Sequence, residues 1–313
     1  MSDRPHLAES SDAAGEVAVE ATTAGPDLDS GREATLWSDA WRQLRRRPMF
    51  YIPAFAVVIL ILIAVFPQVF ARGINPRQCS LTESLLRPSG EHWFGTDIQG
   101  CDYYARTIYG ARPSISIGIL VTVFATLIAL IGGSAAGYFG GGIDSFIARL
   151  TDIWFVIPTI LGAIVVLNLL DNRGVLQVSL VLIVLSWGTM LRLVRSSVLA
   201  AKANDYVDAA RAMGSSNFRI ITRHLLPNSL APVIVYATIT IGVIIAAEAA
   251  LSFLNVGLQL PAISWGLMIS VAQQRILTAP HLLFFPGLVL SITVFSFILM
   301  GDALRDALDP KLR

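Results

Sequence analysis

The run Asp205-Tyr206-Val207-Asp208-Ala209-Ala210-Arg211-Ala212-Met213-Gly214 is the most informative stretch of the chain. Tyr206, Ala209, Ala210 and Met213 fall at i, i+3, i+4 and i+7, which places an apolar stripe on a short helix. Asn204 or Asp205 can cap its start, and Gly214 can end it in a left-handed conformation. Ser215 or Ser216 then caps a second short helix that stops before Pro227 and carries Phe218, Ile221 and Leu225 on its own apolar face. Two short helices joined at a glycine make a compact knuckle, and small alanines let the first sit deep in a partner's groove. The same periodicity suits a pair of helices lying on lipid, so spacing alone leaves both roles open.

Bond-making chemistry has little to work with. No G-x-x-x-x-G-K-[ST] occurs, and the lysines are Lys202 and Lys311 alone, which excludes a phosphate cradle of that kind. His6, His92, His224 and His281 are scattered without metal-ligand spacing. No nucleophile stands beside a base. The expectation is a chain with no catalytic residue, no metal and no cofactor of its own.

The composition says what must position the knuckle. Hydrophobic residues make up 54% of the 313 and charged residues 14%, with a mean hydropathy of +0.65. Soluble domains carry roughly 25% charged residues, so this chain reads as an all-α membrane protein. Windows 50–70, 115–139, 146–169, 175–194, 229–254 and 282–300 are each long and apolar enough to span, giving six transmembrane helices. The net charge of +1 hides an acidic head: residues 1–36 hold eight acids against Arg4 and Arg32. That head is expected to be a disordered cytosolic tail, and 37–313 the membrane domain.

Orientation follows the basic residues. Arg42, Arg45, Arg46 and Arg47 precede the first span; Arg195, Lys202, Arg211, Arg219 and Arg223 sit in the 195–228 connection; Arg305, Lys311 and Arg313 follow the last. Both termini and the knuckle are therefore expected inside, with 71–114 and 255–281 outside. Gly133, Gly137 and Gly141 recur every four residues, a spacing that lets helix backbones approach. Pro158 and Pro232 are expected to kink their spans. Asp152 is expected to pair with Arg149, one turn away.

Asp208-Ala209-Ala210, three residues, Gly214, nine residues and then Leu226-Pro227 resemble the EAA loop of bacterial ABC importer permeases. Asp208 stands where the general pattern has Glu. His224 stands where it has Ile, as in the Arg-His-x-Leu-Pro variant of peptide-type permeases. His92-Trp93-Phe94-Gly95-Thr96-Asp97 with Tyr109-Gly110-Ala111-Arg112 resembles the segment before the second span of the dipeptide/oligopeptide/nickel permeases. Glu248-Ala249-Ala250-Leu251-Ser252-Phe253-Leu254 with Ser264-Trp265-Gly266 is similar to their fifth-span exit, and Gly301 through Pro310 to the end of their C-type subunit. The resemblance covers about residues 37–313.

It implies a type I ABC importer permease fold with a cytosolic coupling-helix loop. Asp205, Tyr206, Asp208, Ala209, Ala210, Arg211, Met213 and Gly214 become the ATPase-docking residues. A second homologous permease, two ATP-binding subunits that hold ATP and Mg, and an extracytoplasmic binding protein become the partners. Peptide is the implied cargo, with a nickel chelate, glutathione or another small solute as alternatives; lipid surrounds the chain and no nucleic acid is involved. Alternating access in a bacterial cell membrane is the implied mechanism. A stand-alone ion-coupled carrier is the rival class, and it gives the knuckle no purpose.

Glu248 lies at membrane depth, where an ionisable group is costly. It either faces the translocation path or bonds within the structure. Cys79 and Cys101, the two cysteines, fall in the outer segment 71–114, Cys101 replacing the Arg usual in the family before Asp102. An oxidising exterior favours a structural disulfide there, with a contribution of roughly 3 kcal/mol on the chain-entropy account. The same segment, rich in Gly, Pro and the aromatics Trp93, Phe94, Tyr103 and Tyr104, is expected either beside a docked binding protein or as a lid on the mouth.

Overall fold

The computed structural model describes residues 48–308 together with Leu44. The acidic segment 1–36, Arg42, Arg45, Arg46 and Arg47, and residues 309–313 with Lys311 and Arg313 lie outside the described residues. Among the described residues the chain is helical, and its extended pairings are the isolated bridges Cys79–Cys101 and Thr96–Asp102.

The helices are α1 (Pro48–Val65), α2 (Tyr103–Phe139), α3 (Gly141–Phe155), α4 (Thr159–Asn168), α5 (Val175–Lys202), α6 (Asp205–Ala212), α7 (Asn217–Phe253), α8 (Trp265–Ala272) and α9 (His281–Leu308). By length and composition α2, α5, α7 and α9 can each cross a membrane, and α3 with α4 forms a further, broken crossing. The apolar stretch of α1, Phe50–Val65, is shorter. It stops early because Pro67 pushes Phe66 out of helical geometry, to φ −121° and ψ 53°.

Three of the sequence-based boundaries move, each for a physical reason. Helix α2 starts at Tyr103 rather than near residue 115. Its polar first turns are buried: the Asp102 carboxylate accepts the Ala105 N–H at 2.8 Å, the Tyr103 hydroxyl donates to Leu282 O at 2.7 Å, and the Trp265 indole donates to Thr107 O at 2.9 Å. The 146–169 window is two helices bent by 77° around Pro158, which lacks the donor an unbroken helix would need there. The second knuckle helix does not stop before Pro227. It runs through a π-helical turn at Ile220–Leu225 into the fifth span, and the Leu226 N–H reaches back to Ile221 O. A wide turn beside a residue with no N–H keeps the helix continuous. Pro232 lies within α7 without a break.

The bundle's most extensive contact joins α2 to α5; α7 packs on α9 and α2, and α1 on α9 and α2. Two glycines set the α2–α5 distance. A Cβ on Gly133 would lie 2.8 Å from Leu191 O and from Val194 Cβ, and one on Gly137 would lie 3.0 Å from Arg195 O. Gly141 does not share that face: it has φ +54° and opens α3.

Candidate functional site

The knuckle sits at the end of the bundle where α2 and α5 finish and α7 starts. Val207 and Ala210 are buried against Val198, Ala201, Ile220 and Leu225, so α6 is anchored through them. The other side is free. Tyr206, Asp208, Ala209 and Arg211 are exposed, and Met213 and Phe218 are 79% and 77% exposed. Thus the predicted stripe divides: Ala210 faces the core, while Tyr206, Ala209 and Met213 remain on the surface with Phe218, which joins no internal apolar face. Val207 was not read from the periodicity, although a second stripe at 207 and 210 fits the same spacing.

Gly214 closes α6 at φ +77°, with its N–H on Arg211 O and the Ser215 N–H on Ala210 O, both at 3.0 Å. This is the glycine-terminated helix end in which both orphan carbonyls are satisfied. Asn204 occupies the N-cap position, but its side-chain amide donates to Ala201 O at 2.9 Å, so it caps the end of α5 rather than the start of α6. Ser216 accepts the Arg219 N–H. Asp208 pairs with Arg211 at 2.9 Å in full view of solvent, a bond of little value to stability that leaves both groups available to a partner.

Rigid pins join the knuckle end to the spans. Lys202 Nζ donates to Tyr138 O at 2.6 Å, closing the end of α2, and the Tyr138 hydroxyl donates to Asn217 Oδ1 at 2.7 Å. Arg195 forks onto Asp144, with Nη2 2.7 Å from Oδ2. Asp152 pairs with Arg192 of α5 at 2.7 Å and not with Arg149. Both acids of α3 thus reach across to α5.

Glu248 is fully buried, at 0% exposure. Its carboxyl accepts from the Ser114 hydroxyl at 3.1 Å and the Ser252 hydroxyl at 2.7 Å, and Ser252 Oγ in turn accepts the Leu258 N–H at 3.1 Å. The group therefore ties α2, α7 and the loop after α7 together, and it lines none of the clefts described below.

At the opposite end, residues 66–102 form a cap. Cys79 and Cys101 are joined by a disulfide. Asp97 pairs with Arg106, His92 Nδ1 lies 2.9 Å from Asp102, and Phe94 stacks on Phe285 at 3.8 Å. Arg112 donates to Ala64 O and Val65 O, capping α1. A cavity of about 260 Å³ between this cap and the 255–272 region is lined by Asp97, Arg106, Asn255 and Met268.

Two further clefts run along one face of α7. One of about 310 Å³ lies among α2, α3–α4, α5 and α7, with Thr122, Trp154, Ser186, Thr189, Tyr236 and Thr240 in its wall. The other, about 470 Å³, lies toward the knuckle and ends at Arg305; the two share Tyr236 and Ile239. These polar residues were missed in the sequence, where they are scattered through apolar windows and belong to no motif. Among the described residues no group of His, Cys, Asp and Glu could hold a metal.

Comparison with known proteins agrees with this architecture. Residues 128–313 match the family described as "Binding-protein-dependent transport system inner membrane component", and residues 35–86 match "N-terminal TM domain of oligopeptide transport permease C". The chain is 41% identical over 276 residues to the dipeptide transport system permease protein DppC of Bacillus subtilis (strain 168), covering 88% of this chain and 86% of that protein. It is 37% identical over 284 residues to the oligopeptide transport system permease protein OppC of the same organism (91% and 92% covered). It is 36% identical over 279 residues to the glutathione transport system permease protein GsiD of Escherichia coli O157:H7 (89% and 92% covered). A solved inward-facing conformation of the MetNI methionine ABC transporter shares the fold, with a TM-score of 0.53 at 20% identity over 65% of this chain and 96% of that one. The helical bundle with its knuckle is thus a type I ABC importer permease fold, and the chain belongs to the family of binding-protein-dependent transport system inner membrane components.

Proposed function

We propose that the chain is one of two homologous permease subunits of an ATP-driven peptide importer, and that α6 is the lever through which ATPase partners move it. The observation that carries this reading is the two-sided knuckle: Val207 and Ala210 bind α6 firmly to its own bundle, while Tyr206, Ala209, Met213 and Phe218 stay exposed around an unburied Asp208–Arg211 pair. An apolar patch with a polar rim at a bundle end suits a protein surface. Asp205 sits in the first turn of the same helix, and Gly214 fixes its end.

The orientation that fits the basic residues puts the knuckle and both termini in the cytosol of a cell with the chain in its inner or plasma membrane. The disulfide-bonded cap then lies outside, beside the binding protein that delivers cargo. ATP and Mg belong to the two ATPase partners, and this chain contributes no group to hydrolysis. Closure of the ATPase pair draws α6 inward. The Lys202–Tyr138–Asn217 and Arg195–Asp144 pins transmit that movement to α2, α3 and α5, because none of them can slide without breaking a charged or buried bond. Cargo preference is supported by the names of the relatives, which are permeases for dipeptides, oligopeptides and glutathione.

Affinity purification of the tagged chain from its native membrane, followed by mass spectrometry and peptide uptake, tests this. The expected result is recovery of a second permease, P-loop ATPase chains and a binding protein, with uptake abolished on deletion. Transport by this chain alone in liposomes, driven by an ion gradient, would overturn it.

A further inference from the structure

The cleft among α2, α3–α4, α5 and α7 has an unusual wall. Trp154, Ser186 and Thr122 all line it, while Trp154 Nε1, Ser186 Oγ and Thr122 Oγ1 are turned away from solvent and have no hydrogen-bond partner. Thr122 is 3% exposed. A buried polar group left unpaired is costly, and three of the eight such side chains among the described residues stand around this one cleft. The three come from three different elements, so one movement that parts α2, α3 and α5 frees them together.

Two further features define what would satisfy them. No charged residue lines this cleft, and its volume of about 310 Å³ is at the small end of small-ligand cavities. The indole can only donate, whereas the two hydroxyls can donate or accept. The cleft also continues, through Tyr236 and Ile239, into the hollow that ends at Arg305.

We infer that Trp154, Ser186 and Thr122 form a charge-free subsite of the translocation path, which takes the backbone amide groups of a passing peptide. The inference rests on the peptide-importer reading and deepens it. A peptide amide that leaves water for an apolar groove loses its hydrogen bonds at considerable cost. The Trp154 N–H offers a donor to the carbonyl, and a Ser186 or Thr122 hydroxyl offers an acceptor to the amide N–H. The same groups exist in every peptide whatever its side chains, so the subsite lowers the barrier to passage without selecting by charge. Selection then falls to other parts of the transporter.

The test is uptake of radiolabelled dialanine, Ala-Lys and Ala-Glu by cells carrying the complete transporter, with the variant chains at measured membrane abundance. Ser186→Ala and Thr122→Val remove the polar atom and nearly preserve shape, while Trp154→Phe removes the donor together with part of the ring. Each is expected to lower the maximal rate by about three- to tenfold, the scale of one hydrogen bond. The half-saturating concentration stays unchanged, and the loss is the same for all three probes. Ser186→Thr and Thr122→Ser, which keep a hydroxyl, are expected to retain most of the rate. An unchanged maximal rate in the triple variant at equal abundance would overturn the inference. So would equal losses in the hydroxyl-keeping and hydroxyl-free variants, which would make the role one of packing, or losses that depend on probe charge. Wild-type cells that take up none of the probes, or whose uptake survives deletion of the chain, would instead sink the peptide reading, and this inference with it.

Discussion

Replacing Glu248 with Ala separates the two roles its position allows. The carboxyl accepts hydrogen bonds from Ser114 on α2 and Ser252 on α7 in a site closed to solvent. Truncation leaves both hydroxyls without their acceptor and opens a gap of the size of the lost carboxyethyl group. Each buried orphan costs about 1–3 kcal/mol, so the expected destabilisation is about 2–6 kcal/mol. For a chain of this size that lowers the thermal midpoint in detergent by roughly 3–9 °C. Ser114→Ala and Ser252→Ala should each remove part of the same stabilisation, and the Glu248→Ala/Ser114→Ala pair should lose less than the sum of the single variants because they share one bond. Glu248→Gln keeps an acceptor oxygen and should fall between. The assay is thermal denaturation of the purified chain followed by tryptophan fluorescence, with peptide uptake measured in parallel. A Glu248→Ala chain that melts like wild type but no longer transports would refute the structural account and return the residue to the path.

Three other outcomes are expected. At Gly214 a Cβ would meet nothing within 4 Å, so Gly214→Val is strained only through its φ of +77°; at a cost of about 1–2 kcal/mol it should loosen the end of α6 and reduce uptake, with membrane abundance preserved and Gly214→Asn milder. Cys79→Ser, which opens a bond spanning 22 residues of sequence, should lose about 3 kcal/mol, measured as a midpoint that no longer responds to reductant. Gly133→Leu must displace α5 at Leu191 and Val194; overpacking of about 1–3 kcal/mol or more should appear as a lower midpoint, and Gly142→Ala, with open space around it, serves as the neutral control.

Four of the six expected spans, and a fifth as a broken pair, were legible because apolar windows of sufficient length have few other uses, and the knuckle because helix period and its terminal glycine agree over a short distance. What was not legible depends on contacts between distant segments. Hydropathy marks where lipid-like surroundings begin, not where a helix begins, so the polar turns of α2 from Tyr103 onward were invisible until Leu282 and Trp265 were seen to cover them. Asp152 has Arg149 as its local option, but the packing of α3 across α5 puts Arg192 within 2.7 Å. On α6 the stripes through Tyr206 and through Val207 fit the same period, and only the packing against Val198 and Ile220 decides which faces inward.

The division of labour along the bundle follows from the same geometry. Bonds at the knuckle end, two of them charged (Lys202–Tyr138 O and Arg195–Asp144) and one neutral (Tyr138–Asn217), tie helix ends to each other. At the cap end a disulfide and the Asp97–Arg106 pair hold a fixed loop. Between them, around Trp154 and Ser186, polar atoms lack partners, and α3 and α4 are already disconnected by Pro158. If α6 is the lever proposed above, the broken, partly unpaired middle of the bundle is where movement is expected. That is where a path has to open if cargo is to pass between two states, each closed at one end.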